Sequence, residues 1–424
     1  MRDLLVIGAG WSGLSAALTA ANHGLTVRVI AKGLGSMHWT AGSFDLLGYP
    51  PGHGTDAAAP PVTDPLAAVA ALPADHPLAR VGRDDVRAAV DTMRATLAAA
   101  GIRFAGRDDG RNLLLPSPVG AARPAFLATN AQLAGALDRP EPMLVVGLQG
   151  MRDFYPHLLV ENLCRQGISA RAEQVPLDLI TARRDINTVQ LAQALDAPDV
   201  QKRLGAALNR LVRPGERIGL PAIVGLHDHA AAFATVEAAA GAPLFEIPTL
   251  PPSVPGVRLH RALRGLLEEA GVRVEAGMEV VGFGAEDGRV AWVETATSAR
   301  PLKHRAKAFL VATGGILGGG ITGDHGGRVW ETALDLPLTI PPDRSRWFRP
   351  AFFDEAGQPV FQGGVAVDDH WQPVDNTGAR VYANVWAAGN LLAHADGILE
   401  RSLEGIALAT GVAAARSIVE AIES

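Results

Sequence analysis

The sequence predicts an α/β fold, and three stretches predict it. Leu4-Leu5-Val6-Ile7 runs into Gly8-Ala9-Gly10-Trp11-Ser12-Gly13, then into the helical run Leu14 to Leu18 and a second apolar run, Val27 to Ile30. That order is strand, glycine turn, helix, strand. Phe309 to Val311 reads as another buried strand, closed by Ala312-Thr313-Gly314-Gly315, and Val381 to Asn390 as a third with Gly389-Asn390 at its end. An α/β sheet places its ligand beyond the carboxyl ends of its strands. Three such ends converging on one glycine turn imply a nucleotide cofactor.

Each glycine of the first turn has its own task. Gly8 makes the tight turn, Gly10 lets backbone approach a pyrophosphate, and Gly13 packs helix against strand. Unpaired N–H groups and the helix dipole favour negative charge at that helix start. The motif follows a strand and opens a helix, the context that gives it meaning. Candidate cofactor-binding residues are therefore Gly8, Ala9, Gly10, Trp11, Ser12 and Gly13, with Ala312, Thr313, Gly314, Gly389 and Asn390 at the other strand ends. The expected architecture is a Rossmann-like FAD/NAD(P)-binding domain with a second, inserted α+β cap/substrate domain. The boundaries read as 1–50, 256–315 and 360–424 for the first, 66–250 for the insert and 316–359 for a second excursion of the cap.

The remaining elements follow in order. Tyr49 to Pro65 reads as loop, because closely spaced prolines remove donors. Asp84 to Ala100 reads as a helix closed by Gly101. Pro142 to Gly147 and Ile168 to Ala172 read as strands around a helix from Phe154 to Gln166. Residues 178–235 read as mostly helical, clearest at Val189 to Arg210 and His229 to Ala240. Four prolines between Ile247 and Gly256 exclude a helix or central strand there. A crossover is expected instead, leading into a helix from Leu259 to Ala270. Val272 to Glu275, Glu279 to Gly284 and Val290 to Thr295 read as a small antiparallel layer with Asp287-Gly288 as a hairpin turn. The last helix is expected from Ser402 to Glu423.

Composition narrows the function. The 424 residues, 48% hydrophobic and 19% charged, fit a well-buried chain of two or three lobes. A formal net charge of −6 offers no basic stripe, so nucleic acid is not an expected partner. Cys164 is the one cysteine, which excludes an internal disulfide and an iron–sulfur cluster held by this chain alone. It reads as a buried structural thiol. No metal site is expected, and His227-Asp228-His229 reads as the start of a helix. The glycine turn begins at residue 8 and leaves no room for a cleavable leader. No run of about 18 apolar residues free of charge or turn residues is found. The expected location is the cytoplasm, with the inner face of the membrane reached only through a partner.

Taken together, the three strand ends resemble those of the fumarate reductase/succinate dehydrogenase-like flavoprotein superfamily. Ser36 to Leu47 (Ser-Met-His-Trp-Thr-Ala-Gly-Ser-Phe-Asp-Leu-Leu), Val145 to Phe154, Ile247 to His260 and Trp386 to Asn390 narrow the resemblance. It is to the B-subunit family of the anaerobic glycerol-3-phosphate dehydrogenases. The resemblance implies oxidation of sn-glycerol 3-phosphate to dihydroxyacetone phosphate by a flavin, FAD or FMN, bound noncovalently. It also implies a second flavoprotein subunit and an iron–sulfur, membrane-associated subunit that passes electrons to quinone. Two alternatives stand beside it: a structural or electron-relay subunit without its own substrate chemistry, and a self-standing FAD-dependent oxidoreductase.

One departure bears on the cofactor. The second strand of a dinucleotide-binding fold ends in an acidic residue for the ribose hydroxyls; here Ala31 holds that place and Lys32 follows. FAD bound without that contact, FMN in part of the site, and a fold that has lost its flavin all remain open. Lys32 reads either as a phosphate partner or as a surface lysine. His38 lies near where superfamily members with covalent flavin carry their histidine, and is read as a noncovalent acid or base. Thr40, Gly42 and Ser43 would offer donors to the flavin. Arg258 could clamp a phosphate monoester and His260 take the hydroxyl proton. Arg401 joins the candidate catalytic residues from the stretch His394 to Arg401, which faces flavin in the superfamily. Ser402 and Leu403 begin a helix whose positive end would stabilise the reduced flavin.

Overall fold

Leu4 to Ile7 is apolar at every residue, and a strand without a polar face needs cover on both sides, the condition of a parallel sheet. The structure, a computed structural model, describes residues 2–52, 60–183, 185–297, 300–351, 354 and 356–424. Along the chain β1 (Arg2–Ile7), α1 (Trp11–Asn22) and β2 (Val27–Ala31) come first, followed by α2 (Arg83–Ala99). The middle carries β3 (Met143–Leu148), α3 (Pro156–Arg165), β4 (Ala170–Val175), β5 (Arg217–Pro221), α4 (His229–Ala240), β6 (Leu244–Ile247) and α5 (Val254–Glu269). The last part holds β7 (Arg273–Ala276), β8 (Ala306–Val311), β9 (Val385–Ala387) and α6 (Leu403–Glu423). Two compact units result: Met1–Ser36, Asp45–Thr96 and Leu263–Ser424 form the first, Met37–Phe44 and Leu97–Ala262 the second.

The first unit is built on a five-stranded parallel sheet in the order β7-β2-β1-β8-β9. Its register aligns Ile7 with Ile30 and Val311, and Val311 with Ala387, so the three predicted strand ends do share one edge. Leu4, Val6, Val29, Phe309, Leu310 and Val385 form its fully buried centre. α6 crosses α1 where a Cβ on Gly411 would lie 2.6 Å from the Ser12 carbonyl oxygen. This helix has the length and mean hydropathy, 1.5, to cross a membrane, but 61% of that window is buried inside the molecule. The sequence criterion passes over it because the run carries Glu404, Arg416 and Glu420 and two glycines, Gly405 and Gly411. An antiparallel sheet of Val280–Glu286, Arg289–Thr295 and Leu302–His304 turns at Asp287 and Gly288, both left-handed at φ 51° and 71°, as a two-residue hairpin requires.

The second unit carries a four-stranded parallel sheet, β6-β5-β3-β4. One face packs Leu144, Val146, Ile218 and Leu220 against Leu204, Leu208 and Val236 of the neighbouring helices. The other face closes over Met143, Val145 and Phe245 with Leu159 and Leu163 of α3.

Several expectations need correction. The helix read at Val189 to Arg210 is two, Thr188–Ala194 and Pro198–Asn209, because Pro198 cannot continue a helix and instead starts one. β5 is not expected within 178–235; Arg217 to Pro221 form a fully buried strand that opens on a buried arginine. α5 begins at Val254 rather than Leu259, since Pro255 is tolerated in a first helical turn. The strand read at Val381 to Asn390 shrinks to three residues. Of Val272 to Glu275, the residues from Arg273 on fall in β7, which joins the parallel sheet beside β2 rather than the antiparallel layer. Cys164 is exposed: Leu159 and Leu163 face inward on α3, and the next position turns outward. The compact units also divide the chain elsewhere than expected. Residues 66–96 and 316–359 fall in the first unit, and His38 to Ser43 in the second. Of the loop read at Tyr49 to Pro65, residues 53–59 lie outside the described residues, and Asp64 caps a short helix, Pro65–Val69.

Candidate flavin site

In the first unit the glycine turn has the shape its sequence calls for. Gly8 sits at φ +125°, where an L side chain is strained, and a Cβ there would lie 2.1 Å from the Ala312 carbonyl oxygen. A Cβ on Gly13 would lie 2.0 Å from the Gly8 carbonyl oxygen, so helix and strand meet as expected. Gly10 differs. Its φ of −86° suits any residue, and a Cβ would have nothing within 4 Å. The space in front of Gly10 is open.

That open space meets a bare helix start. Gly10 caps α1 without a side-chain hydrogen bond, the first turn carries no acidic residue, and Trp11, Ser12 and Gly13 are buried. Buried N–H groups at a helix start call for an anion. The Ser12 and Thr313 hydroxyls are buried with no hydrogen-bond partner among the described residues. Gly389 abuts the Ser12 side chain, and its N–H donates to the Thr410 hydroxyl at 2.8 Å. Asn390 Nδ2 donates to the Leu403 carbonyl at 3.3 Å, pinning the first turn of α6. Gly8 to Gly13, Ala312 to Gly314, Gly389, Asn390, Ser402 and Leu403 thus belong to one end of this sheet and its two covering helices. These residues fit a bound dinucleotide. Thr410 and Gly35, which folds against Ala9 and Gly10, escaped the sequence reading. The glycines of Lys32 to Gly35 were the available signal for the second; Thr410 gave none.

Lys32 lies outside this group. Its ammonium is 2.7 Å from Glu279 Oε1 and its side chain is 76% exposed, so it is a surface lysine, not a phosphate partner. Its place beyond the end of β2 turns it toward the segment after β7, whose Met278 N–H donates to the Ala31 carbonyl. Arg401 has a left-handed φ of 49° just before α6 and stands 3.9 Å from Asp45.

In the second unit the segment Met37 to Phe44 holds the other candidates. The His38 and His260 rings meet edge to face at 5.0 Å between centroids. His38 Nε2 is buried without a partner among the described residues, and burial pushes the His38 pKa down. Thr40 accepts from the Gly42 N–H at 2.8 Å, a local turn, and Gly42 (φ +79°) packs on Pro255. The Ser43 hydroxyl accepts from Arg123 at 2.7 Å. Arg123, nearly fully buried on the short strand Ala122–Ala125, was missed. An arginine among apolar neighbours has no distinguishing pattern in sequence.

Arg258 does not do what its position suggested. Its guanidinium grips Glu246 through Nη1 (2.6 Å) and Nη2 (3.1 Å), and donates to the Gly225 and Val224 carbonyls at 2.9 and 3.1 Å. Four of its five donors are spent inside the unit. It is a structural ion pair rather than a phosphate clamp. Asp228 caps α4 and His227 pairs with Asp196 at 2.6 Å, as a helix start would. No group of three or more metal-ligating side chains occurs among the described residues.

A titration follows from His38. Its neutral form is favoured by burial, so its NMR titration midpoint should lie below the ordinary histidine value of about 6.5. The stability that His38 contributes is then complete above that value and declines as pH falls through it toward the lower folded-state pKa. A midpoint at or above the ordinary value would show that burial does not govern the His38 ring.

The comparisons agree with this geometry. The FAD binding domain family matches residues 3–408, and the chain is a member of that class of flavoprotein oxidoreductases. Within it, the chain belongs to the B-subunit family of the anaerobic glycerol-3-phosphate dehydrogenases. It is 34% identical over 436 residues to the probable anaerobic glycerol-3-phosphate dehydrogenase B subunit of Halobacterium salinarum, covering 99% of this chain and 98% of that one. It is 30% identical to the B subunit of the Yersinia pestis anaerobic glycerol-3-phosphate dehydrogenase, with 98% of each covered. Among solved structures, the 3-ketosteroid delta1-dehydrogenase from Sterolibacterium denitrificans aligns over 99% of each chain at 12% identity and a TM-score of 0.45.

Proposed function

We propose that the chain is the flavin-carrying subunit of an anaerobic-type glycerol-3-phosphate dehydrogenase and binds FAD noncovalently. The observation that carries this reading is the bare, buried start of α1 with open space before Gly10 and two orphaned hydroxyls beside it. The names of its relatives support glycerol 3-phosphate as substrate and a multisubunit assembly as its setting. FAD, when bound, supplies the two-electron acceptor for the hydride that leaves the carbinol carbon. His38 and His260 are assigned to take the hydroxyl proton, which yields the ketone of dihydroxyacetone phosphate. Because Cys164 is the single cysteine, a partner must supply any iron–sulfur relay to quinone. A cytoplasmic location with membrane contact through that partner is part of this reading.

Dye reduction by the purified chain with glycerol 3-phosphate tests it, once acid-released cofactor has been identified by mass. Parent chain should reduce the dye, and His260→Ala should lose about 10²–10⁴-fold in kcat. Ala31 at the ribose position favours a second reading, an electron-relay subunit with no substrate chemistry. A flavin-loaded chain that takes electrons from a partner but none from glycerol 3-phosphate would select it.

A further inference from the structure

Ser402 occupies the N-cap of α6, yet its hydroxyl does not cap the helix. It turns back and donates to Glu400 Oε2 at 3.0 Å. The same oxygen is 3.0 Å from His76 Nε2, and Glu400 Oε1 accepts from the Asp396 N–H at 3.1 Å. His76 Nδ1 accepts from the Leu78 N–H at 3.1 Å, so the ring proton must sit on Nε2 and point at Glu400. Glu400 thus accepts three hydrogen bonds and donates none, the role of a carboxylate anion. His76, Glu400 and Ser402 are all nearly or fully buried. The Gly48 and Tyr49 N–H groups fix the Glu400 carbonyl at 2.8 and 3.0 Å.

This anion is built against the start of α6, two residues before the cap. A helix start attracts negative charge, and a fixed carboxylate beside it cancels part of that attraction. The start of α6 also belongs with the phosphate turn. Gly411 meets Ser12 in α1, and Leu403 lies eight residues before it, ~12 Å along the helix. Asn390, next to the Gly389 that abuts Ser12, donates to the Leu403 carbonyl and ties the start of α6 to the same strand end. The other ionisable groups around this helix start are the buried Asp396, whose carboxylate accepts from the Ile398 and Leu399 N–H groups, Glu404 in the first turn, Arg401 beside Asp45, and His394 near Asp75.

We propose that Glu400, held by His76 and Ser402, is a positioning residue that lowers the reduction potential of the bound flavin by opposing the helix start that would stabilise its reduced form. The inference rests on the flavin reading above. The test equilibrates flavin-loaded chain with a dye of known potential and reads the reduced-to-oxidised ratio of the flavin. Glu400→Gln should raise that ratio about tenfold, the upper range of a partly buried charge at a helix end. Glu400→Asp keeps the charge and should stay within about twofold. Removing one partner of a buried pair can unfold a protein, whereas replacing both by apolar groups is close to neutral. The double variant His76→Leu with Glu400→Met is therefore made as well, and should show the same tenfold rise. A ratio unchanged in the charge-removing variants, or shifted equally by Glu400→Asp, overturns the proposal and leaves the flavin reading standing. A parent chain that holds no flavin and takes up neither FAD nor FMN overturns both.

Discussion

Gly10→Val is expected to yield a folded, colourless protein. The substitution meets nothing in the protein itself: the backbone at Gly10 is in an ordinary extended conformation, and no heavy atom lies within 4 Å of the added Cβ. The valine side chain instead fills the space where a pyrophosphate would approach the α1 N–H groups. Two or three hydrogen bonds to a charged group would be lost, each worth about 1.5–3 kcal/mol, so flavin affinity should fall by about 100-fold or more. The unfolding temperature measured without flavin should stay within a few degrees of the parent. Gly8→Ala is the contrasting variant. There the Cβ would sit 2.1 Å from backbone oxygen at a left-handed φ, so the β1–β8 contact must open and the fold itself should suffer. Retained flavin in Gly10→Val, measured by released cofactor per chain, would remove the phosphate-turn assignment.

The contrast between these two glycines also marks what sequence can show. Gly8, Gly10 and Gly13 were legible because their spacing encodes a backbone path, and the sheet register delivers the three strand ends to one edge. Elements with a strong period or an end signal were legible too: α4 and α6 begin and end within a residue of expectation. β5 was not, because five buried residues carry no period that separates a strand from a helix. Side-chain partners were the least legible. Arg258 looked available because its residue type suits a phosphate, but Glu246 lies twelve positions away, across a proline crossover that hides the pairing. Arg123 meets Ser43 across 80 positions and His76 meets Glu400 across 324, and no local pattern announces either pairing.

Glu246→Ala is the second large effect expected, and it separates the two roles proposed for Arg258. In the folded chain Glu246 is 3% exposed, and Arg258 pairs with it through two hydrogen bonds. Burial alone would push the Glu246 carboxyl up. The Arg258 charge, His229 and the hydrogen bonds from Arg258 and Val224 outweigh burial and hold it below the ordinary carboxylate range. A lowered folded-state pKa means that this stability is complete above the unfolded value and disappears as pH falls through the folded one. Removing the carboxylate leaves a buried guanidinium without its countercharge, at a cost of about 3–5 kcal/mol. Glu246→Leu with Arg258→Met should cost less, about 1–3 kcal/mol, because the Gly225 carbonyl and the Val224 N–H would still lose partners. Urea unfolding at neutral pH gives both numbers, and repeating it in acid should show a shallower loss for the variants than for the parent. A phosphate clamp predicts otherwise. In that case the Arg258→Met chain would keep its stability and lose only affinity for glycerol 3-phosphate. With most of the Arg258 donors bound inside the unit, the expected result is the reverse: lost stability, and an unchanged KM in whatever fraction remains folded.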